Sequence, residues 1–419
     1  MSTILHLQNP LRKLSHFCAC ALFALAALTP ASAQRFTLEA TANTAGLSRK
    51  GALGIGQVYS YVDFASLGNN MMVTAVEEAS TNVLDVIVWQ YVPPCPVNTI
   101  CNYPTNTIVQ KGSMSLYTLI PSNGGPNFHV AALSSNAFVT VGLDAINSQT
   151  HVTSWTVDSS GNPHDTSDVY STPGGTTADF CAVAAMETSQ ILVVESDNWG
   201  QGDDWWDPPT GNFVTSTYSI EANGTLVWQN TINQGDASDV IAVNVFKVNN
   251  EQAVTIDIDG DGNSSLASWA VNPTGENILL QTNAYPPVNE IWSVAAVSTG
   301  PGTFMTAGST ATSQQLEPAF WTVDSWGNFT LGSYGLGYSD PTALVGVGVF
   351  NGTPITATGG SSFRLDAWSS APTVTDLATL IEGQISTPVL TQLSPNAFAV
   401  AFQNSTSNLE IQVFYYNPL

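Results

Sequence analysis

The chain of 419 residues carries 32 Asp or Glu against 8 Lys or Arg, a net charge of −24, with 43% hydrophobic and 10% charged residues. So few bases exclude nucleic acid and anionic lipid surfaces as partners, because both require a positive patch to neutralise phosphates. The apolar content excludes an intrinsically disordered chain, and Ser, Thr, Asn and Gln supply most of the polarity.

Residues 1–33 read as a secretory signal. Arg12 and Lys13 form a positive stretch, Phe17 to Leu28 a short apolar run, and Ala31-Ser32-Ala33 a small-residue cleavage site before Gln34. An apolar run of 12 residues is too short to span a bilayer. The mature chain, 34–419, is therefore expected to be exported, secreted or periplasmic, as a monomer with no membrane span. Arg35-Phe36-Thr37-Leu38-Glu39 reads as an isolated strand over 35–40, and the Gly- and Ala-rich residues 41–56 as a linker to repeats over 57–419. Cys95 and Cys101 enclose five residues, and in an oxidising compartment they are expected to form a disulfide. Cys181 lies in an apolar run and reads as a buried thiol.

From residue 57 onward three series recur in a fixed order. The most visible is an aromatic in a strand-like run that ends in a polar turn: Trp89, Trp155, Tyr218, Trp269, Trp321, Trp368 and Phe414, spaced 46 to 66 residues apart. Ahead of each stands a run centred on Thr or Val, at Thr74, Thr140, Val194, Thr255, Thr306, Thr356 and Val400. Ahead of those come small apolar runs such as Cys181-Ala182-Val183-Ala184 and Val345-Gly346-Val347-Gly348-Val349. These predict strands a, b and c in each of seven units, and a strand d follows the c turn, as at Asn328-Phe329-Thr330-Leu331.

Four-stranded units of this length resemble the blades of the seven-bladed β-propeller superfamily, over the whole mature chain. The resemblance implies an all-β fold, a single seven-bladed β-propeller domain. The last unit ends its c strand at Phe414-Tyr415-Tyr416, so strand 35–40 is expected to pair with that last blade, closing the ring and covering two sheet edges. The Trp-Asp signature of WD40 blades is absent, and the Gly-Gly pair of kelch blades follows strand b only at Gly359-Gly360. The turns Asp158-Ser159-Ser160-Gly161 and Asp324-Ser325-Trp326-Gly327 are similar to the sialidase Asp-box without its Thr-Trp ending. Turn chemistry alone accounts for an Asp and a Gly there.

Two loops, each between strands b and c of consecutive units, stand out. The first holds Trp199, Asp203, Asp204, Trp205 and Trp206; from Asp197 to Asp207 it packs three Trp and four Asp into 11 residues. Flat aromatic faces with flanking carboxylates suit a sugar, the ring covering C–H groups while the acids accept hydroxyl hydrogen bonds. Such tryptophans can instead fold back over their own unit. The second loop, Asp257-Ile258-Asp259-Gly260-Asp261-Gly262-Asn263, places oxygens at positions 1, 3, 5 and 7 with Gly at 6. It resembles the calcium loops of FG-GAP propellers and dockerins, which implies Asp257, Asp259, Asp261 and Asn263 as ligands to a calcium ion. Ser265 and Ser268 stand where an acid at 9 and a Glu at 12 would complete that loop, and an ordinary Asp/Gly hairpin is the alternative. His129, His151 and His164 fall on different parts of one unit and are not expected to converge.

No Ser-His-Asp order, polar Cys nucleophile or phosphate loop is present. The residues fit an exported, non-enzymatic protein that binds a glycan or other polar ligand at these two loops, with calcium assisting. They also leave open a secreted glycoside hydrolase or lyase using paired carboxylates such as Asp203 and Asp257, with no catalytic residue assigned, and a structural surface protein.

Overall fold

The computed structural model describes residues 47–416 apart from 95–105, 121–126, 148, 172–179, 198–211, 237–239, 260–261, 285–290, 311–314, 336–343, 360–362, 369–373, 381–387, 396 and 405. The described residues are all-β. The chain opens with β1 (Leu47–Gly68), β2 (Met71–Glu78), β3 (Val83–Val92) and β4 (Thr107–Thr118). Sheet II contains β5 (Phe128–Ser134), β6 (Ala137–Asp144), β7 (Gln149–Val157) and β8 (Pro163–Tyr170). Sheet III contains β9 (Phe180–Glu187), β10 (Gln190–Asp197), β11 (Asn212–Ile220) and β12 (Leu226–Asp236). Sheet IV contains β13 (Val240–Asn249), β14 (Gln252–Asp259), β15 (Ser264–Val271) and β16 (Asn277–Ala284). Sheet V contains β17 (Ile291–Gly300), β18 (Thr303–Thr310), β19 (Leu316–Val323) and β20 (Phe329–Tyr334). Sheet VI contains β21 (Leu344–Phe350), β22 (Thr353–Gly359), β23 (Phe363–Trp368) and β24 (Val374–Leu380). The last strands, β25 (Val389–Ser394), β26 (Ala397–Gln403) and β27 (Asn408–Tyr416), join the first four in sheet I, ordered β25-β26-β27-β1-β2-β3-β4.

Seven separate four-stranded blades are thus not what forms. The described residues form six sheets, and one of them has seven strands. The cause is β1, whose 22 residues serve the last repeat and the first at once. Residues Leu47 to Gly54 pair antiparallel with β27, and Tyr59 to Gly68 pair with β2. The pairing with β27 is irregular between Gly54 and Val58, where the strand passes from one partner to the other. Residues 47–56, expected as linker, are therefore strand; of the glycines there, Gly51 pairs with Val413, and Gly54 and Gly56 fall at this change of partner. The expected closing strand 35–40 lies outside the described residues, as do Cys95 and Cys101 of the expected disulfide.

The apolar cores lie between sheet faces. Within sheet I the two wings pack on each other, Tyr59, Met72 and Trp89 meeting Leu393, Ala399 and Ile411. Elsewhere each core joins successive sheets; Ala182, Val194 and Phe213 of sheet III, for instance, meet Val243, Ala267 and Trp269 of sheet IV. The first strands touch in cyclic order, β1, β5, β9, β13, β17, β21, β25 and back to β1, so the sheets stand in a ring.

The seven recurrent aromatics occupy the third strands and are buried. In five repeats the aromatic is Trp, and its indole N–H donates to a Thr hydroxyl on the second strand. The pairs are Trp89–Thr74 at 2.9 Å, Trp155–Thr140 at 2.9 Å, Trp269–Thr255 at 3.1 Å, Trp321–Thr306 at 3.0 Å and Trp368–Thr356 at 2.9 Å. A buried N–H left without an acceptor is costly, so the hydroxyl is required wherever the indole is present. Where the aromatic is Tyr218 or Phe414, the equivalent residue is Val193 or Val400, and the hydroxyl disappears with the indole. The register Ile191↔Tyr218 puts Val193 in that place, one residue before the Val194 expected from sequence.

The ends of the sheets differ. Gln190, at the β9–β10 turn, donates to the Asn272 carbonyl in the β15–β16 turn, and Gln252, at the β13–β14 turn, donates to the Asp324 carbonyl in the β19–β20 turn. First-to-second and third-to-fourth turns therefore share one end of the ring. The third-to-fourth turns are closed locally: the Asp158 carboxylate accepts from the Ser160 and Asn162 amides, and Asp324 does the same for Trp326 and Asn328. Both carboxyls are held below their usual range, chiefly by the side chains of Asn162 and Asn328. Gly224 and Gly275 of such turns have φ of +88°, and a Cβ on either would collide with Thr166 or Gln229 of the preceding sheet. The second-to-third turns lie at the opposite end.

Candidate functional site

The second-to-third end carries both loops singled out in the sequence. Residues 198–211, with Trp199, Asp203, Asp204, Trp205 and Trp206, lie outside the described residues. Their anchors are the last rung of β10 and β11, Asp197↔Asn212. In the neighbouring sheet the Asp257 loop joins β14 to β15 at the same end. Sheets III and IV pack together, so the two loops spring from adjoining sheets.

Alternation along β14 puts Asp257 and Asp259 on one face. The Asp259 carboxylate accepts from the Asn263 backbone amide at 2.7 Å and from the Asn263 side-chain amide at 2.9 Å. The Gly262 amide donates to the Asp259 carbonyl at 2.9 Å, closing a tight turn with Gly262 at φ +78°. Asp261 lies outside the described residues. Among those described, no three His, Cys, Asp or Glu side chains come together as a metal site. Asp257 is the deeper carboxylate. It accepts from the Ser265 hydroxyl at 2.5 Å, and burial, with Asp259 adding to it, pushes its pKa up to about 6.

Asp257 belongs to a pattern that the sequence reading missed. Four residues before each core aromatic, four rungs nearer this end, stands the pair formed by that residue and its partner on the second strand. In every repeat one of the two is ionisable. The pairs are Val76↔Asp85, Gly142↔His151, Glu195↔Val214, Asp257↔Ser265, Gly308↔Glu317, Thr358↔Arg364 and Phe402↔Glu410. Burial raises the carboxyls of Asp85 and Glu317, and Glu317 accepts from the Tyr334 hydroxyl at 3.2 Å. Arg364 is held by both oxygens of buried Asp366, each at 2.9 Å from Nε. A spacing of minus four from the aromatics reveals five members of the rung. The other two, Glu195 and Asp257, sit on the second strand and emerge only once register is known.

The histidines do not converge. His129 on β5 lies 3.2 Å from Asp63 of β1, His151 on β7 lies 3.4 Å from Asp168 of β8, and His164 lies 3.3 Å from Asp158 at the opposite end. Cys181 is a buried free thiol, raised well above its usual range by burial.

No family model matches the chain, and no curated protein matches it. Among solved structures the chain is similar to Raptor from Chaetomium thermophilum, at 11% identity and a TM-score of 0.57, over 89% of this chain and 29% of that one. A study of two prolyl endopeptidases supplies another, at 9% identity and a TM-score of 0.48, over 85% of this chain and 47% of that one. The chain thus spans less than half the length of either protein. The likeness is one of fold: a propeller-like β-repeat architecture.

Proposed function

We propose that this chain is an exported binding protein that takes a glycan or another polar ligand at the end of the ring where sheets III and IV present their second-to-third loops. One observation carries the reading. The anchors of the Trp/Asp loop and the Asp257–Asn263 turn occupy the same end of two sheets that pack on each other. Trp199, Trp205 and Trp206 would cover sugar C–H faces, and Asp203, Asp204 and the carboxylates of the second loop would accept hydroxyl hydrogen bonds. Calcium at Asp257, Asp259, Asp261 and Asn263 would displace the hydrogen bonds that Ser265 and Asn263 now make to the carboxylates, and would brace the neighbouring loop. Calorimetric titration of the mature chain with a panel of neutral oligosaccharides, with and without millimolar calcium, tests this. Binding that is lost in Trp205→Ala/Trp206→Ala, and loses its calcium dependence in Asp259→Ala, is expected. No heat with any oligosaccharide in either condition overturns it.

The hydrolase reading has one observation in its favour, the half-buried Asp257 with its raised proton affinity, which suits a general acid. Turnover of an oligosaccharide that ceases in Asp257→Asn would favour it over simple binding.

A further inference from the structure

At the same end of sheet II lies a cluster that the proposed binding site does not use. The His151 ring is sandwiched between Tyr117 of β4, with centroids 4.3 Å apart, and Tyr170 of β8, at 4.6 Å and 19° from parallel. Its side chain is 9% exposed. Nδ1 has no hydrogen-bond partner, while Nε2 lies 3.4 Å from a carboxylate oxygen of Asp168, a contact that becomes an ion pair on protonation. Gly142, opposite His151 on β6, leaves the space that the Tyr117 hydroxyl occupies; a Cβ there would come within 2.6 Å of it. The Tyr117 hydroxyl donates to the His151 carbonyl at 3.3 Å, linking sheet I to sheet II.

The groups facing the ring from each neighbouring element are Tyr117 of β4, Asp144 of β6, Asp168 and Tyr170 of β8, and the Cys181 thiol of β9, beside Tyr117. Asn147, in the β6–β7 turn, ties the cluster to that turn. Its amide donates to Asp144 at 2.6 Å and to the Tyr170 hydroxyl at 3.0 Å. The outer side is loosely held: Tyr170 is 47% exposed and Ile146, in the turn, 81%.

We propose that Tyr117, His151 and Tyr170 form an acid-released latch, which holds the β6–β7 turn and outer strand β8 against β4 while the imidazole is neutral and frees them on its protonation. A neutral imidazole can keep its buried Nδ1 free of a proton, but an imidazolium leaves an Nδ1–H without an acceptor and buries a charge, which Asp168 offsets only from a half-exposed position. Burial holds His151 below the usual imidazole range, against the opposing pull of Asp168 and Asp144. The sign follows. A depressed histidine contributes stability that is present above its unfolded value of about 6.5 and is lost as pH falls from there through the folded value. Because Tyr170 and the turn are already half in water, opening toward solvent disturbs less apolar contact than opening toward Tyr117 would.

The test is amide hydrogen exchange on the mature chain at about pH 7.5 and about pH 5, corrected for intrinsic rates, in wild type, His151→Phe and His151→Gln. Protection of residues 144–147, 149–151 and 168–171 is expected to fall several-fold on acidification in wild type, while β18 amides stay unchanged. Neither variant titrates at 151, so neither should show the fall; Gln serves if Phe does not fold. The same fall in a folded variant overturns the latch. So does wild-type protection that holds or rises at acid pH, which would mean that the carboxylates win.

Discussion

Two rungs of each repeat, four residues apart along the third strand, follow opposite rules. The aromatic rung is neutral and buried, and it changes in concert: Trp occurs with Thr in five repeats, and the two without Trp carry Val. The rung toward the second-to-third end always has an ionisable side chain but never settles on one, running through Asp85, His151, Glu195, Asp257, Glu317, Arg364 and Glu410. A buried donor admits few solutions, so the first rung repeats. In the second rung the ionisable side chain is half-buried at Asp85, Asp257, Arg364 and Glu410 and buried at His151, Glu195 and Glu317, and each repeat solves its charge separately, with a serine at Asp257, a tyrosine at Glu317 and a carboxylate at Arg364. Architecture repeats in the first rung; chemistry diversifies in the second.

The largest effect should come from emptying the aromatic rung. Trp269→Ala removes a fully buried indole and should cost about 3–5 kcal/mol in denaturant unfolding. Removing only the hydroxyl comes next. Thr255→Val keeps shape but orphans the indole N–H, for a loss of about 1–3 kcal/mol.

On the ionisable rung the sign reverses. Asp257 has a raised folded pKa, so its contribution is fully present below about pH 3.8 and is lost as pH rises through about 6. Asp257→Asn should therefore raise stability at pH 7, by about 1–2 kcal/mol after discounting for its partial exposure. The same change should flatten the decline of stability between pH 4 and pH 6 in thermal melts. Glu317→Gln should shift stability the same way but less, since a neutral amide oxygen accepts from the Tyr334 hydroxyl more weakly than the carboxylate does. Losses at both carboxylates on neutralisation would erase the contrast between the rungs.

Much of the first rung is legible in the sequence, and most of the second is not. The aromatics and their Thr partners recur in register with one slip, at Val193, where valines at both 193 and 194 leave the hydroxyl position unmarked. The second rung is hidden because its ionisable member changes strand in sheets III and IV and its residue type everywhere. The merging of first and last repeats escaped for another reason. Residues 51–57, Gly-Ala-Leu-Gly-Ile-Gly-Gln, have linker composition, and only their pairing with β27 makes most of them a strand.

The measurement that bears most directly on this account is a double-mutant cycle at Trp269 and Thr255. Thr255→Val is made in wild type and in Trp269→Phe, and unfolding free energies are compared. In wild type the substitution should cost about 1–3 kcal/mol. In the Phe background, where no indole N–H needs an acceptor, it should be neutral or stabilising, reproducing the natural pairing of Phe414 with Val400. An equal cost in both backgrounds would contradict the coupling that the aromatic rung repeats.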